Sequence, residues 1–320
     1  MNEPTNELGA VADPHDRMWE PLPRPGSGQT AARFRALWKL ASRSPSLGRL
    51  AEAHHDAVAI LAEAGRDDPP TGLLAVWAAG GPHPLRLIRQ GSHWWLRGDK
   101  HWCSGAGLAA SALVTAELDD GSGALVHIDM QNPGATLGSP EWTSPAMPAV
   151  DTRTVHFDAA ITDDDVVGRG DWYVRRTGFW HGAIGVAACW AGCVDGVVRR
   201  LWPAWPADPH ATAHLGAIDA QLWNLAVALD AAADAVDDDP TSTERGEQRA
   251  LRVRHVVDVG VADITTRIMR AVGPGPLAHG DDVHRHLAET DLYRRQCHAE
   301  RDLEALGRLV RGQPDPCERQ

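Results

Sequence analysis

The chain carries two successive patterns of hydrophobic and polar positions, first a two-residue period and then a helical one. Between residues 72 and 169, short apolar runs are separated by turn residues, and Val155, Phe157 and Ala159 alternate strictly with polar neighbours. Such alternation predicts half-buried β-strands. After Gly170 the apolar residues recur at spacings of three and four, which predicts long amphipathic helices.

Turn signals divide the first region into strands. Gly80-Gly81, Asp120-Gly121 and the segment from Asn132 to Gly134 separate apolar runs, and Gly98-Asp99 predicts a further turn inside the segment GSHWWLRGDKHWCSGAG. The runs that predict strands are LLAVWAA, LRLIRQ, HWWLRG, SALVTAEL, ALVHIDM and RTVHFDAAI. Six or more closely spaced strands predict a small antiparallel barrel or sandwich.

Four apolar stripes in the second region predict a helix bundle of about 140 residues. They run from Ala183 to Leu201, from Leu215 to Val236, from Val253 to Ile268 and from Leu303 to Val310. Asp208-Pro209 and the pair Thr241 and Glu244 are helix-start signals, and Gly273-Pro274 is a stop. Upstream of the strands, two shorter helices are predicted from about Thr30 to Ala41 and from about Pro45 to Ala64.

The predicted fold class is therefore α+β. Residues 1–71 form an N-terminal arm and a reduced helical domain, with 1–28 as a loose arm, and residues 72–169 form the small antiparallel β-barrel. Residues 170–312 form the C-terminal four-helix bundle, and 313–320 are a tail.

Composition narrows the classes of partner. The formal net charge of −12 argues against nucleic acid or an anionic membrane, since both favour basic surfaces. The sequence has no continuous apolar run near the roughly 20 residues of a membrane span, and its acidic start lacks a secretory signal, so a cytoplasmic location is expected. The five cysteines show no CxxC spacing and are expected to be reduced, and no metal site is predicted.

Three segments carry a resemblance to a known family. They are GDKHWCSG, which comprises the predicted Gly-Asp turn and a second strand after it, GFWHGAIGVAACWAG at the start of the helical region, and RAVGPGPLAHG inside it. With the order of strands and helices, they make the chain from about Gly72 to Gly312 resemble the acyl-CoA dehydrogenase family of flavoproteins. The resemblance implies FAD between the β-domain and the bundle, a small-molecule substrate such as an acyl-CoA, and association as a homodimer or homotetramer.

The same resemblance assigns the cofactor-binding residues. The run from Lys100 to Ser104 looks like the family strand that contacts the isoalloxazine ring, which implies that Trp102, Cys103 and Ser104 bind the cofactor. The alternative is that Trp102 fills the barrel core. Gly273 and Gly275 look like the family's glycine pair, where bare backbone approaches the FAD of a neighbouring subunit. An ordinary connection between helices is the alternative.

The chain also departs from the family pattern. AVWAAGGPHPLRL (residues 75–87) replaces the Thr-Glu-Pro and Gly-Ser-Asp region, and WPADPHATAHLG (205–216) replaces the Arg and Phe-Gly segment. No Glu-Gly-Thr is present for the catalytic base. Glu300 lies nearest the expected place, with Asp302 and Glu304 as rivals, and His298 beside it suits proton handling in an oxygenation or is simply a solvated or core histidine.

Three functions remain open from the sequence. The leading one is an FAD-dependent oxidoreductase that performs α,β-dehydrogenation of an acyl thioester or a related small molecule. The second is a flavin-dependent monooxygenase on the same fold, which the missing Glu-Gly-Thr and His298 favour. The third is a non-catalytic paralogue that acts as a binding or assembly partner, which the lost motifs favour.

Overall fold

The computed structural model describes residues 19–91, 93–140, 142–279 and 281–312, and these form an α+β protein. The eight strands all lie between residues 74 and 169: β1 Leu74–Trp77, β2 Arg86–Gln90, β3 His93–Cys103, β4 Ser111–Glu117, β5 Gly123–Asp129, β6 Ala135–Leu137, β7 Arg153–Ile161 and β8 Val166–Arg169. The helices flank them: α1 Thr30–Arg43, α2 Pro45–Glu63, α3 Trp172–Arg175, α4 Thr177–Leu201, α5 Pro209–Asp238, α6 Thr243–Val272, α7 Gly275–His279, α8 Asp281–Arg294 and α9 Glu300–Arg311.

Tertiary contacts divide the chain into two compact units. The β unit contains the described residues up to Leu22 and the range Arg49–Phe179, and the helical unit contains Pro23–Gly48 and the chain from Trp180 onward. The divisions fall at 22/23, 48/49 and 179/180. The domain boundaries expected from the sequence, at 71/72 and 169/170, stay a prediction. Helix α1 joins the helical unit because the Thr30 hydroxyl donates a 2.6 Å hydrogen bond to Asp237 of α5.

The β unit is built on one eight-stranded sheet. Its strand order is β6-β7-β3-β2-β4-β5-β8, with β1 added alongside β4 in parallel. On one side, Leu74, Leu113 and Leu125 pack against residues of α2, which include Ala57 and Ile60. Alternate burial along β7 explains the strict apolar period that the sequence shows there.

One predicted turn is absent. Gly98 and Asp99 lie in the middle of β3, where they pair with Phe157 and His156 of β7. The φ of Gly98 is +116°, so glycine meets a conformational requirement inside a strand rather than at a hairpin. The segment is therefore one long strand, which carries the following residues directly from the sheet to its end.

The helical unit contains three long helices and a shorter, broken final part. Helices α4, α5 and α6 have 25, 30 and 30 residues. After Gly273 the described chain forms α7, α8 and α9 instead of one fourth long helix. The predicted fourth stripe lies on α9, where no described side chain is buried and Leu303 is exposed.

The helix starts agree in part with the predicted caps. Asp208 caps α5 as predicted, since its carboxylate accepts hydrogen bonds from the backbone N–H groups of His210 and Ala211. Helix α6 is capped by Ser242, one residue beyond the predicted Thr241. Because Ser and Thr cap equally through their hydroxyls, the local pattern could not separate them.

Helix α4 also departs from an expectation. By length and composition alone, Thr177–Ala204 is able to cross a membrane, although the sequence indicated no such segment. Of its most apolar window, 83% is buried inside the protein. Packing explains why α4 is so apolar, because a helix that is largely enclosed by protein needs no polar face.

The predicted loose arm and free thiols can be assessed only where the structure describes them. Of residues 1–28, those from Trp19 onward are described, and the Gly28 N–H bonds to Asp237 at 3.0 Å, so this part is held in place. Within the described chain Cys103, Cys189, Cys193 and Cys297 are free thiols. Cys317 and the predicted tail lie outside the described residues.

Candidate functional site

The end of β3 is irregular, and the irregularity exposes Trp102. Strand β3 pairs with β7 in register up to Lys100, then shifts so that Cys103 pairs with Arg153. Trp102 lies in this bulge with a φ of +60°, and 64% of its surface is exposed. The alternative that Trp102 fills the core is therefore wrong, because the bulge turns the indole out of the sheet.

This conformation is unfavourable for tryptophan. A left-handed backbone at a bulky residue costs about 1–3 kcal/mol and persists only where the surroundings enforce it. An exposed indole contributes little burial to offset that cost. Strain of this kind is concentrated at functional sites, so the backbone of Trp102 is a stronger signal than its residue type.

The residues after Trp102 are held by two buried contacts. The Trp77 indole N–H donates a 2.9 Å hydrogen bond to the carbonyl oxygen of Ser104. The Gly105 N–H donates to the carbonyl of Val150 at 2.8 Å. Among the described residues, no hydrogen-bond partner is found for the Ser104 hydroxyl, which is half-buried. A rigid strand end thus presents a free hydroxyl beside an exposed indole.

The loop that receives Gly105 is strained as well. Met147 and Asp151 both have left-handed backbones, with φ of 57° and 48°. The Asp151 carboxylate accepts a 2.6 Å hydrogen bond from the Arg153 guanidinium, which fixes the end of this loop to β7. No pattern in the sequence predicted this loop, because it contacts the end of β3 only in the folded protein.

Cys103 faces the opposite way from Trp102. Its thiol is fully buried and donates to the Lys100 carbonyl at 3.1 Å. Burial raises the pKa of this thiol to about 12, so it stays protonated at neutral pH. The side chain of Cys103 therefore belongs to the core, whereas Trp102 is exposed and Ser104 is half-buried.

In the helical unit, the predicted catalytic residues surround another strained position. Ala299 precedes α9 with a φ of 44°, between His298 and Glu300. His298 Nδ1 lies 3.3 Å from the Asp302 carboxylate, and Asp302 also lies 3.8 Å from the Arg254 guanidinium. Glu300 is exposed and forms no ion pair within the described chain.

The three candidate carboxylates thus differ in their surroundings. Asp302 is occupied by His298 and Arg254, and Glu304 pairs with Arg308 at 3.0 Å. Glu300 is the candidate whose carboxylate is uncommitted in the described residues. In the sequence, all three lie near the expected position of the catalytic base. The contacts in the structure distinguish them, since Asp302 and Glu304 have partners and Glu300 has none among the described residues.

The predicted glycine pair lies at the end of α6. Gly273 has a φ of +66° and its N–H bonds to the Met269 carbonyl at 3.1 Å, which is a helix C-cap. Among the described residues, a Cβ on Gly275 would meet no atom within 4 Å. The connection between helices explains Gly273, whereas no described neighbour requires glycine at 275.

Within residues 19–91, 93–140, 142–279 and 281–312, no group of three His, Cys, Asp or Glu residues could hold a metal ion. The indole and hydroxyl at the β3 end lie in the β unit, and His298, Glu300, Gly273 and Gly275 lie in the helical unit.

No family model and no curated protein matches the sequence. Solved structures do match. TdsC from Paenibacillus sp. A11-2, a dibenzothiophene monooxygenase crystallised with FMN and indole, superimposes with a TM-score of 0.78 at 16% identity and covers 90% of this chain and 84% of its own.

Two further solved structures have similar statistics. A nitrososynthase from Micromonospora carbonacea var. africana gives a TM-score of 0.72 at 21% identity, with 87% of this chain and 81% of its own covered. Butyryl-CoA dehydrogenase from Megasphaera elsdenii gives 0.74 at 16% identity, with the same coverage.

This chain has the acyl-CoA dehydrogenase fold. The resemblance inferred from the β3 segment and the order of strands and helices is confirmed at the level of the fold. Because the identities are at most 21% among these three, they do not assign the reaction.

Proposed function

We propose that this protein is a flavin-dependent oxidoreductase that holds the isoalloxazine ring against Trp102 and the Ser104 hydroxyl. The observation that carries the proposal is the exposed indole of Trp102, held with a left-handed backbone at the β3 bulge. Flavoproteins with this fold, among them TdsC with FMN, give the cofactor class its support.

The residues present fit such a ring. A flat indole offers a stacking face to a planar heteroaromatic system, and a hydroxyl can donate to or accept from its ring carbonyls and nitrogens. Trp77 fixes Ser104 through its backbone carbonyl, which leaves the hydroxyl available. A bound flavin would supply the hydride or electron transfer, and the protein would supply binding, orientation and proton handling.

Several finer features belong to the same proposal. The resemblance favours FAD, and the FMN in TdsC makes FMN the second flavin to test. We also propose four features that the sequence analysis predicted. They are a small β-barrel, a four-helix bundle, assembly as a homodimer or homotetramer, and a cytoplasmic location. A bare Gly275 supports a close approach by a neighbouring subunit's cofactor.

For the reaction, the leading proposal is α,β-dehydrogenation of an acyl thioester or a related small molecule. Glu300 would take the α-proton, since its carboxylate is uncommitted in the described chain and it lies at the first turn of α9. Dehydrogenation by this route requires the carboxylate to reach a substrate carbon.

Monooxygenation is the second candidate, and the contact between His298 and Asp302 favours it. An imidazole oriented by a carboxylate is a suitable group for proton transfer. TdsC, which has the same fold, is named as a monooxygenase. In this case His298 rather than Glu300 would carry the proton transfers.

Replacing Trp102 by glycine separates binding from stability. Loss of the stacking face is expected to weaken FMN and FAD binding about fivefold or more, since stacking of a base on an aromatic side chain contributes roughly 1–3 kcal/mol. The free energy of unfolding is expected to stay equal or rise by about 1 kcal/mol, because glycine adopts a φ of +60° without strain.

Flavin fluorescence titration and urea unfolding measure the two effects. Trp202→Ala is the matched control, because Trp202 is also exposed but lies after α4 in the helical unit. If Trp102→Gly binds flavin as tightly as wild type, or if Trp202→Ala loses as much affinity, the isoalloxazine ring does not stack on Trp102.

The two reactions are distinguished with flavin-loaded protein. Dehydrogenation is supported if butyryl-CoA bleaches the flavin absorbance under anaerobic conditions. This bleaching should be lost in Glu300→Gln and kept in His298→Gln. Oxygenation is supported if the protein with reduced flavin consumes oxygen only when indole is present. This oxygen consumption should be lost in His298→Gln and kept in Glu300→Gln. If loaded protein shows neither activity with a broad series of acyl-CoA and aromatic substrates, the non-catalytic alternative gains support.

A further inference from the structure

The β unit contains a cavity that the proposed flavin contacts do not use. Its volume is about 230 Å³, and its wall includes Gly81, His83, Lys100, His101, Thr115 and Glu117. Trp102 and Ser104 are not part of this wall. A space of this size is suited to a small metabolite or to one charged group of a larger ligand.

Lys100 is the notable group in the wall. Only 6% of the residue is exposed, and its ammonium donates to the carbonyl oxygen and the hydroxyl of Thr115 at 3.0 and 2.8 Å. Within the part of the chain that the structure describes, no carboxylate pairs with it. A buried ammonium with only neutral acceptors is unfavourable unless an anion joins it.

The acidic groups at the cavity have partners other than Lys100. Glu117 pairs with the Arg86 guanidinium, and the Asp99 carboxylate lies 2.7 Å from His156 Nδ1. His101 Nδ1 lies 3.1 Å from the Thr154 hydroxyl. Lys100 is therefore the group of this wall that can pair with an anion, since neither carboxylate pairs with it among the described residues.

We propose that this cavity binds a small molecule through an oxyanion, a carboxylate or a phosphate, that pairs with the Lys100 ammonium. The third N–H of the ammonium would donate to the anion, and the burial of Lys100 would shield the pair from solvent on its protein side. A charge-assisted hydrogen bond in such a place is stronger than one at the surface. The proposal does not require flavin to be bound.

The titration of Lys100 supplies a test, because burial lowers its pKa to about 8. The groups around it are Asp99, His101 and Cys103 on β3, Thr115 and Glu117 on β4, and His83 in the β1–β2 connection. Cys103 stays neutral because its own pKa is about 12. An anion should raise the pKa of Lys100, and anion affinity should fall as the pH rises above about 8.

The composition makes the measurement direct. Lys39 and Lys100 are the only lysines of the chain, so protein labelled with ¹³C at the lysine ε-carbon gives two signals. Lys39→Met assigns them and is the control, since Lys39 is exposed on α1. The probes are butyrate, benzoate and inorganic phosphate at constant ionic strength, with wild type, Lys100→Met and Lys100→Arg.

We expect at least one probe to raise the titration midpoint of the Lys100 signal, with affinity lost about tenfold or more in Lys100→Met and largely kept in Lys100→Arg. Lys39→Met should bind as wild type does. If no probe moves the Lys100 signal at tens of millimolar, or if Lys100→Met binds as well as wild type, the proposal is overturned. The signals of wild type and Lys39→Met decide this even where Lys100→Met does not fold.

A comparison of FMN with riboflavin distinguishes the sources of the anion. If the oxyanion is the flavin phosphate, Lys100→Met should weaken FMN but not riboflavin binding, and phosphate should be the effective probe. If the oxyanion belongs to a substrate, butyrate or benzoate should bind. Lys100→Met should then change the affinities for FMN and riboflavin equally. Protein that takes up no flavin but whose Lys100 responds to a probe would refute the proposed function and keep this one.

Discussion

Acidification from pH 6.5 towards pH 3 is expected to remove about 5 kcal/mol of the free energy of unfolding through one side chain, His286. His286 lies on α8 with 3% of its surface exposed. Burial, helped by the nearby Arg200 and Arg285 guanidinium groups, lowers its pKa to about 3. The folded protein therefore keeps this imidazole neutral over a range in which the unfolded chain is protonated.

The sign follows from proton binding. Between pH 6.5 and about 3 the unfolded state binds the proton and the folded state does not, so stability falls as the pH falls. Above pH 6.5 both states are neutral at this position and the contribution is constant. Several carboxylates whose pKa is lowered by folding, such as Asp208 and Asp237, add their own loss at lower pH.

His286→Phe isolates the effect, because it keeps a ring in the buried position and removes the titration. Urea unfolding at pH 7 and pH 4.5 should show a smaller acid loss in this variant, by roughly half of the 5 kcal/mol. His284→Gln, an exposed position on the same helix, should lose as much as wild type. Equal losses in His286→Phe and wild type would show that His286 is protonated in the folded state.

Replacing Trp77 by alanine is expected to lower the free energy of unfolding by about 3–5 kcal/mol. Trp77 is only 2% exposed and belongs to the core of the β unit with Leu85, Leu96 and Phe157. Truncation removes its burial and leaves a cavity. It also leaves the Ser104 carbonyl without its indole donor.

Trp77→Phe separates packing from positioning. It keeps most of the buried ring but removes the hydrogen bond to Ser104, which should cost about 1–3 kcal/mol. Because Ser104 is then less firmly held, flavin affinity should fall as well. Trp223→Ala, at an exposed position on α5, should change stability by less than about 0.5 kcal/mol. Full stability of Trp77→Ala would contradict the packing described for this core.

The sequence predicted the regular elements well where a long apolar period was available. The predicted helix from Thr30 to Ala41 is α1, which ends two residues later, and the stripe from Val253 to Ile268 lies on α6. The predicted turn at Gly98-Asp99 failed because a turn signal is local. Pairing of both residues with β7 depends on a segment more than fifty residues away.

The candidate site was predictable in position but not in geometry. The GDKHWCSG segment marked the β3 end, yet whether Trp102 was buried depended on a bulge that only the folded sheet shows. The strained loop at Met147 and Asp151 carried no sequence signal. The unpaired charge of Lys100 was likewise invisible, since it depends on which carboxylates find other partners.

The most direct test of the central claim is the visible absorption spectrum of the purified protein, before and after incubation with FAD or FMN and desalting. We predict retained flavin bands with at least one of the two flavins, and their loss in Trp102→Gly. A wild-type protein that folds normally but retains neither flavin would contradict the proposed function and leave an acyl-CoA dehydrogenase fold without its cofactor.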